Sequence, residues 1–123
     1  MAMLAALAAP LARLFHKKPL EPHWVDVEGL RGRLAAEPAP LVLDVRGRDE
    51  FDGPLGHIDG ALNIPLPDLA ARQAEITTAN RSIVCVCLTD KRSSAAAAQL
   101  AAAGLADVTV LRGGMKAWRE AGL

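Results

Sequence analysis

The sequence predicts an α/β fold built on a mainly parallel sheet. Short runs rich in Val, Leu and Ile alternate along the chain with segments that carry helix-capping residues or helical spacing. One of these runs, "IVCVC", is apolar at every position, which is typical of a central strand covered on both faces. With 123 residues the chain is long enough for one domain with its own core and too short for two ordinary domains.

The strand and helix candidates follow one another in a regular order. The strand candidates are "HWVDV", "LVLDV", "ALNIP", "SIVCVC" and "DVTVL". Asp26 is expected to cap a helix through "EGLRGRLAA", and the proline–aspartate pair of "PDLAARQAEI" is expected to open a second helix. Ser93 or Ser94 is expected to open the alanine-rich helix, which Gly104 ends. A last helix is expected in "MKAWREAGL", after a Gly-Gly turn.

The first 22 residues are predicted to be an N-terminal amphipathic segment with its linker, and residues 23–123 to be the domain. The apolar stretch is about 16 residues long, which is short of the ~20 needed to span a bilayer. We expect the segment to lie on its own domain as a helix or frayed tail, with weak contact to a membrane surface or a partner as the alternative. Its apolar residues follow helical spacing at Leu4, Leu7, Leu11, Leu14 and Phe15.

Composition and charge exclude several classes of protein. Lys and Arg together number 14, as do Asp and Glu, so the sequence indicates no basic face for nucleic acid. Two cysteines make neither a disulfide framework nor a zinc site, and no metal site is predicted. A reducing compartment, the cytoplasm, is therefore expected, and we expect the chain to be a monomer.

The stretch "CVCLTDKRSS" combines features that point to a reactive cysteine. Cys87 closes an apolar run, and in open α/β sheets ligands bind beyond the carboxyl ends of the strands. The following loop can present backbone N–H groups to an anion, and the next helix directs the positive end of its dipole there. Such surroundings favour the thiolate form of a cysteine, and Arg92 adds a planar donor for an anionic substrate. A buried structural cysteine is the alternative.

Four motifs in a fixed order resemble the rhodanese-like domain family, and the resemblance runs from about Trp24 to Leu123. The motifs are "LVLDVRGRDEF" (41–51), "GHIDGALNIP" (56–65), "CLTDKRS" (87–93) and "VLRGGMKAW" (110–118). The resemblance implies a central, mostly parallel five-stranded sheet flanked by helices on both faces. It also implies transfer of sulfane sulfur through a cysteine persulfide, without a metal or an organic cofactor.

The family mechanism assigns roles to the loop. By resemblance, the Cys87 thiolate attacks the outer sulfur of a small anionic donor such as thiosulfate, and sulfite leaves. A thiol, a protein sulfur acceptor or cyanide then collects the sulfur. The persulfide would be held by the backbone of the residues that follow the cysteine: Leu88, Thr89, Asp90, Lys91 and Arg92.

Further positions are expected to support this site. Asp44 and Arg46 are expected to form a structural ion pair or hydrogen bond, and Glu50 and His57 to brace the loop rather than to transfer protons. Cys85 shares a strand face with Cys87 and is expected to be a small buried hydrophobe, with a relay or resolving thiol as the alternative. The complete set of supporting positions is Asp44, Arg46, Glu50, His57 and Ser93.

Two departures from the family pattern bear on the substrate. Asp90 stands where many loops of the family carry glycine, and Leu88 stands where a basic residue is common. The extra acid argues against efficient use of the doubly negative thiosulfate. The Gly113–Gly114 pair is expected to allow a turn close to the site.

Three functional classes remain open. A sulfurtransferase leads. A phosphatase or arsenate reductase on the same scaffold typically has five residues between cysteine and arginine, whereas here four intervene between Cys87 and Arg92. A catalytically silent docking module is the third class, against which the intact Cys87 and Arg92 argue.

Overall fold

The computed structural model describes residues 23–123 and shows an α/β fold around one sheet of five parallel strands. The strands pair in the order β1-β5-β4-β2-β3, so β4 is the central strand and the predicted mostly parallel sheet is entirely parallel. Cys85 of the central strand lies opposite Leu43 on one side and Val110 on the other. The strands are β1 (His23–Val25), β2 (Leu41–Asp44), β3 (Leu62–Asn63), β4 (Ile83–Val86) and β5 (Val108–Leu111).

Five helices and one 3₁₀ turn accompany these strands within residues 23–123. As predicted, Asp26 caps the first helix, because its side chain accepts the Gly29 N–H at 2.7 Å. Gly104 follows the alanine-rich helix with a φ of +98°, a conformation that favours glycine. The helices are α1 (Val27–Ala35), α2 (Arg48–Phe51), α3 (Gln73–Ala79), α4 (Lys91–Ala102) and α5 (Gly114–Glu120), and the 3₁₀ turn covers Leu66–Asp68.

Two predicted helix starts are wrong. The alanine-rich helix α4 begins at Lys91 rather than at Ser93 or Ser94, because Asp90 is its N-cap and the Asp90 carbonyl accepts the Ser94 N–H. The proline–aspartate pair at Pro67 opens a 3₁₀ turn, and the α-helix begins only at Gln73. The turn closes with the Leu69 N–H on the Leu66 carbonyl and lays the fully buried Leu69 against the sheet.

The core occupies both faces of the sheet, because successive residues of each strand point to opposite sides. One face packs under α3 and α4, and the other packs under α1 and α5. The first cluster includes Leu43, Cys85, Cys87, Val110, Ile76, Ala96 and Leu100. The second includes Val42, Val84, Val86, Leu111, Leu30, Met115 and Trp118. The carboxyl edge of the sheet is thereby left between the two layers, with Cys87 on the α4 side.

The predictions for residues 1–22, including the amphipathic helix and its contact with a membrane, lie outside the described residues. Between His23 and Leu123 no helix has the length and apolar character needed to cross a bilayer.

Candidate active site

Cys87 is the first residue after β4 and lies at the carboxyl end of the central strand. Its side chain is 1% exposed and shares a core cluster with Cys85, between the sheet and α4. The Cys87 Sγ lies 3.2 Å from the Ser93 Oγ and accepts the Ser93 backbone N–H at 3.3 Å. The thiol is therefore held against the first turn of a 12-residue helix, whose free N–H groups favour a negative charge.

Carbonyl groups of the loop after Cys87 point toward the start of α5. The Met115 N–H donates to the Cys87 carbonyl at 2.9 Å, and the Lys116 N–H donates to the Leu88 carbonyl at 3.0 Å. A Cβ atom added to Gly114 would lie within 2.6 Å of the carbonyl oxygens of Cys87, Leu88 and Thr89. Gly114 also has a φ of +57°, so both its backbone conformation and its close contact with the loop require glycine.

This anchoring determines where the loop N–H groups point. In a planar trans peptide the N–H is directed opposite to the carbonyl of the preceding residue. Because three carbonyls face α5, the N–H groups that follow them, on Leu88, Thr89 and Asp90, point away from it. Within the part of the chain that the structure describes, none of the N–H groups from Leu88 through Arg92 forms a hydrogen bond. Five backbone donors of the loop that follows Cys87 thus have no partner among residues 23–123, an arrangement that suits an anion.

Asp90 and Lys91 place the helix start directly after this loop. Asp90 has a φ of −151° as the N-cap of α4, and its carboxylate makes no capping hydrogen bond. Aspartate is a favoured N-cap residue, so the correct helix start could have been predicted from Asp90. Because α4 begins at Lys91, both Arg92 and Ser93 lie in its first turn.

Arg92 is paired with Glu50, a contact that the sequence did not predict. The two guanidinium nitrogens donate to the two carboxylate oxygens at 2.7 and 3.0 Å. The hydrogen bond from Arg92 holds the pKa of Glu50 at about 2, well below its ordinary value, and Glu50 raises the pKa of Arg92. Glu50 also accepts the Gly47 N–H at 3.2 Å, so the pair ties α2 to the first turn of α4. The sequence assigned Arg92 to the substrate, whereas the structure shows its guanidinium fork on Glu50.

Asp44 and Arg46 form a buried ion pair at the end of β2. Both side chains are 1% exposed, and the Arg46 guanidinium lies 2.7 Å from the Asp44 carboxylate. Arg46 also donates to the Gly56 carbonyl at 2.7 Å and to the Glu50 carbonyl at 3.3 Å. Asn63, which sequence reasoning missed, donates to the Asp44 and Arg46 carbonyls at 3.0 and 2.9 Å. These bonds hold α2, and with it Glu50, against the end of the sheet.

His57 lies against α2 rather than against the cysteine loop. Its Nδ1 is 2.9 Å from the Phe51 carbonyl, and its ring stacks on the Phe51 ring with centroids 3.6 Å apart. Its contacts therefore support the helix that carries Glu50. The sequence predicted that His57 braces the cysteine loop directly, whereas the described contacts reach the loop only through this helix.

The two cysteines have different surroundings although they share one face of the sheet. Cys85 is fully buried, and burial, with a smaller effect from Cys87, raises the pKa of its thiol to about 12. The Cys85 thiol therefore stays protonated at neutral pH. Cys87 alone combines a sulfur atom at the strand end with the Ser93 donors.

The same loop presents exposed side chains to solvent. Leu88 is 39% exposed, and Thr89 and Lys91 are exposed beside it. The loop thus directs backbone donors to one side and a mixed apolar and cationic surface outward. A cysteine sulfur at a strand end, next to backbone N–H groups of a loop, is an arrangement that suits nucleophilic chemistry on a small anionic substrate.

A family model for the rhodanese-like domain matches residues 26–121. The chain belongs to the rhodanese-like domain family, as its four motifs predicted. A crystal structure of the Alr3790 protein from Anabaena shares the fold with a TM-score of 0.71 and 36% sequence identity, over 80% of this chain and 77% of that one.

Curated relatives agree with this assignment. The uncharacterized protein YqhL of Bacillus subtilis is 42% identical over 63% of this chain and 59% of its own length, so the chain spans less than two thirds of that protein. A sulfurtransferase of Allochromatium vinosum is 36% identical over 80% of this chain and 90% of that protein. The thiosulfate sulfurtransferase GlpE of Shewanella oneidensis is 39% identical over 65% of this chain and 76% of that protein. At the level of the family, the chain is therefore similar to sulfurtransferases.

Proposed function

We propose that the chain is a sulfurtransferase that carries sulfane sulfur as a persulfide on Cys87. The observation that carries the proposal is the Cys87 thiol at the strand end, held by the Ser93 N–H and followed by five loop amides that have no partner within the described part of the chain. Relatives named sulfurtransferase and thiosulfate sulfurtransferase support the same reaction.

The reaction proceeds by two displacements. The Cys87 thiolate attacks the outer sulfur of thiosulfate, the S–S bond of the donor breaks, and sulfite leaves with the electron pair. The product is Cys87–S–S⁻, whose negative charge the free amides of the loop stabilise. An acceptor thiolate, or cyanide, then attacks the outer sulfur and releases the Cys87 thiolate.

The dimensions of the loop favour sulfur over a larger group. The four residues between Cys87 and Arg92 are one fewer than is typical of the phosphatases and arsenate reductases on this scaffold. With Cys87 only 1% exposed, a donor must present a slender terminal atom to reach its sulfur. A terminal sulfur satisfies that condition better than a tetrahedral oxyanion does.

The proposal extends to partners and location. The acceptor, a small thiol or a protein thiol, would approach past the exposed Leu88 and Lys91. Both cysteines of the chain are free, which fits a reducing compartment such as the cytoplasm. We propose a monomer that acts without nucleic acid.

Intact-protein mass spectrometry tests the proposal. After incubation with thiosulfate and removal of excess donor, the protein should gain about 32 Da, one sulfur atom, on Cys87. Cys87→Ser should gain nothing, because a hydroxyl forms no persulfide. Cys85→Ser is the matched control and should gain the same mass as the unaltered protein. A folded protein that takes up no sulfur from thiosulfate or from a hydropersulfide would instead indicate a docking module.

A further inference from the structure

One charged side chain of the loop, Arg92, is neutralised by an acidic partner. Arg92 is matched by Glu50 in a two-pronged ion pair, and Lys91 stands beside Asp90. Behind them, the Asp44–Arg46 pair is neutral as a unit and buried. Beyond the loop, the Lys116 side chain is exposed and screened by water. The Arg92 guanidinium therefore adds no net positive charge to the approach to Cys87, where the backbone N–H groups of the loop remain to attract an anion.

The pairing also occupies the part of Arg92 that binds anions best. A guanidinium recognises a sulfonate or carboxylate through a planar fork of two parallel N–H donors. In this structure the fork is on the two oxygens of Glu50, at 2.7 and 3.0 Å. To turn this two-pronged fork to the oxygens of thiosulfate, Arg92 would have to leave the Glu50 carboxylate, whose pKa the same pairing lowers to about 2.

Two kinds of sulfane donor differ in the negative charge that they bring to the Cys87 thiolate. Thiosulfate brings two negative charges to a thiolate, so three charges of the same sign meet in the encounter. An organic hydropersulfide, R–S–SH, is neutral when its terminal sulfur is protonated. In that case Cys87–S⁻ attacks the outer sulfur, the S–S bond of the donor breaks, R–S⁻ leaves, and Cys87–S–SH forms with its proton. Only one charge is present throughout.

We propose that the Glu50–Arg92 pair selects the donor, disfavouring dianions and making an organic hydropersulfide the preferred source of sulfur. The inference rests on the proposed sulfur transfer by Cys87 and deepens it. The exposed Leu88 beside the loop suits the organic group of such a donor, which thiosulfate lacks. Glu50 is accordingly a specificity-determining residue that acts through Arg92 and does not touch the reacting sulfur atoms.

The test compares two donors in one variant. Glu50→Gln keeps a hydrogen-bonding side chain of the same size but leaves Arg92 with a full positive charge. If the carboxylate is taken to lie about 7 Å from the dianion in a water-like dielectric, its removal should raise kcat/KM for thiosulfate about fivefold to tenfold. For benzyl hydropersulfide, kcat/KM referred to the protonated, neutral form of the donor should change less than about twofold, because Coulomb attraction requires charge on the donor. The gain with thiosulfate should shrink at high salt.

Asp49→Asn is the matched control, because it removes one exposed carboxylate from the same helix, next to Glu50 in sequence. It should leave the ratio of the two donors within about twofold of the original, since screening weakens exposed charges. An equal change for both donors in Glu50→Gln would reduce Glu50 to a structural brace and overturn the inference, as would a ratio shift of the same size in Asp49→Asn. If Cys87 gains sulfur from neither donor in the unaltered protein, the proposed function itself fails; if it gains sulfur but the ratio does not move, only the donor selection fails.

Discussion

Gly114→Ala should disrupt the cysteine loop without touching any catalytic side chain. The added methyl would lie 2.3 Å from the Cys87 and Thr89 carbonyl oxygens and 2.6 Å from that of Leu88. These are backbone atoms, so the contact cannot be relieved by rotating a side chain. The loop must move away from α5, and the two hydrogen bonds from Met115 and Lys116 must lengthen or break.

The expected cost has two parts. Alanine at a φ of +57° costs about 1–2 kcal/mol of backbone strain. Losing the two hydrogen bonds to the loop carbonyls adds about 0.5–1.5 kcal/mol for each. The free energy of unfolding should therefore fall by about 2–5 kcal/mol, a large part of the ~5–15 kcal/mol that holds a domain folded.

Gly60→Ala separates strain from contact. Gly60 has a φ of +81°, but a Cβ there would meet no heavy atom within 4 Å, so this variant should lose only the strain component. Urea denaturation measures both losses, and mass spectrometry after incubation with a sulfane donor measures sulfur uptake on Cys87. Uptake should be lost in folded Gly114→Ala and kept in Gly60→Ala. Equal destabilisation of both variants, with uptake unchanged, would refute the claim that the close contact with Gly114 shapes the loop.

Three further predictions concern the loop and its supports. Ser93→Ala removes the hydroxyl 3.2 Å from the Cys87 sulfur but keeps the backbone N–H, so the rate of sulfur uptake measured by quenched mass spectrometry should fall by about tenfold or less rather than vanish. The pKa of Glu50 is lowered to about 2 in the folded state, so its pairing with Arg92 stabilises the fold fully above about pH 4.5, and this contribution is lost as pH falls toward 2. The midpoint of urea denaturation should therefore drop less across this pH window in Glu50→Gln than in the unaltered protein. Asp90→Gly should lower KM for thiosulfate by about threefold to tenfold, and less at high salt; an unchanged KM would mean that the Asp90 carboxylate points away from the donor.

Local patterns in the sequence were sufficient for most of the fold. All five strands were predicted, because short Val- and Leu-rich runs between turn residues are strong local signals. Asp26 was predicted as a cap because its side chain acts within its own turn. Serine and aspartate are both good N-caps, so the local pattern does not decide between Asp90 and the serines, and the predicted start of α4 lies two or three residues too late.

The parts of the site that were missed depend on contacts between distant segments. Glu50 and Arg92 are 42 residues apart, and no local pattern indicates that their side chains meet. The role of Asn63 has no local signal in the sequence, because a single asparagine at the end of a short strand resembles a turn residue. Its amide instead bridges two buried carbonyls of the β2 end. Pairing of this kind is determined by the order of strands in the sheet, which the sequence pattern does not specify.

The charge of Arg92 beside the loop is thus balanced by Glu50, whose helix α2 is anchored to the end of β2. The buried Arg46 binds the Asp44 carboxylate and two carbonyls around α2, so α2 can shift only if a charged group loses its partners inside the protein. Breaking such a pair by removing one partner costs about 3–5 kcal/mol, far more than most exposed ion pairs contribute. The helix that carries Glu50 is therefore held firmly in place, although both side chains of the Glu50–Arg92 pair are partly exposed. Since these buried contacts hold α2 in addition to the pair, exchanging the Glu50 carboxylate for an amide should change the charge at the loop while leaving the geometry of the loop in place.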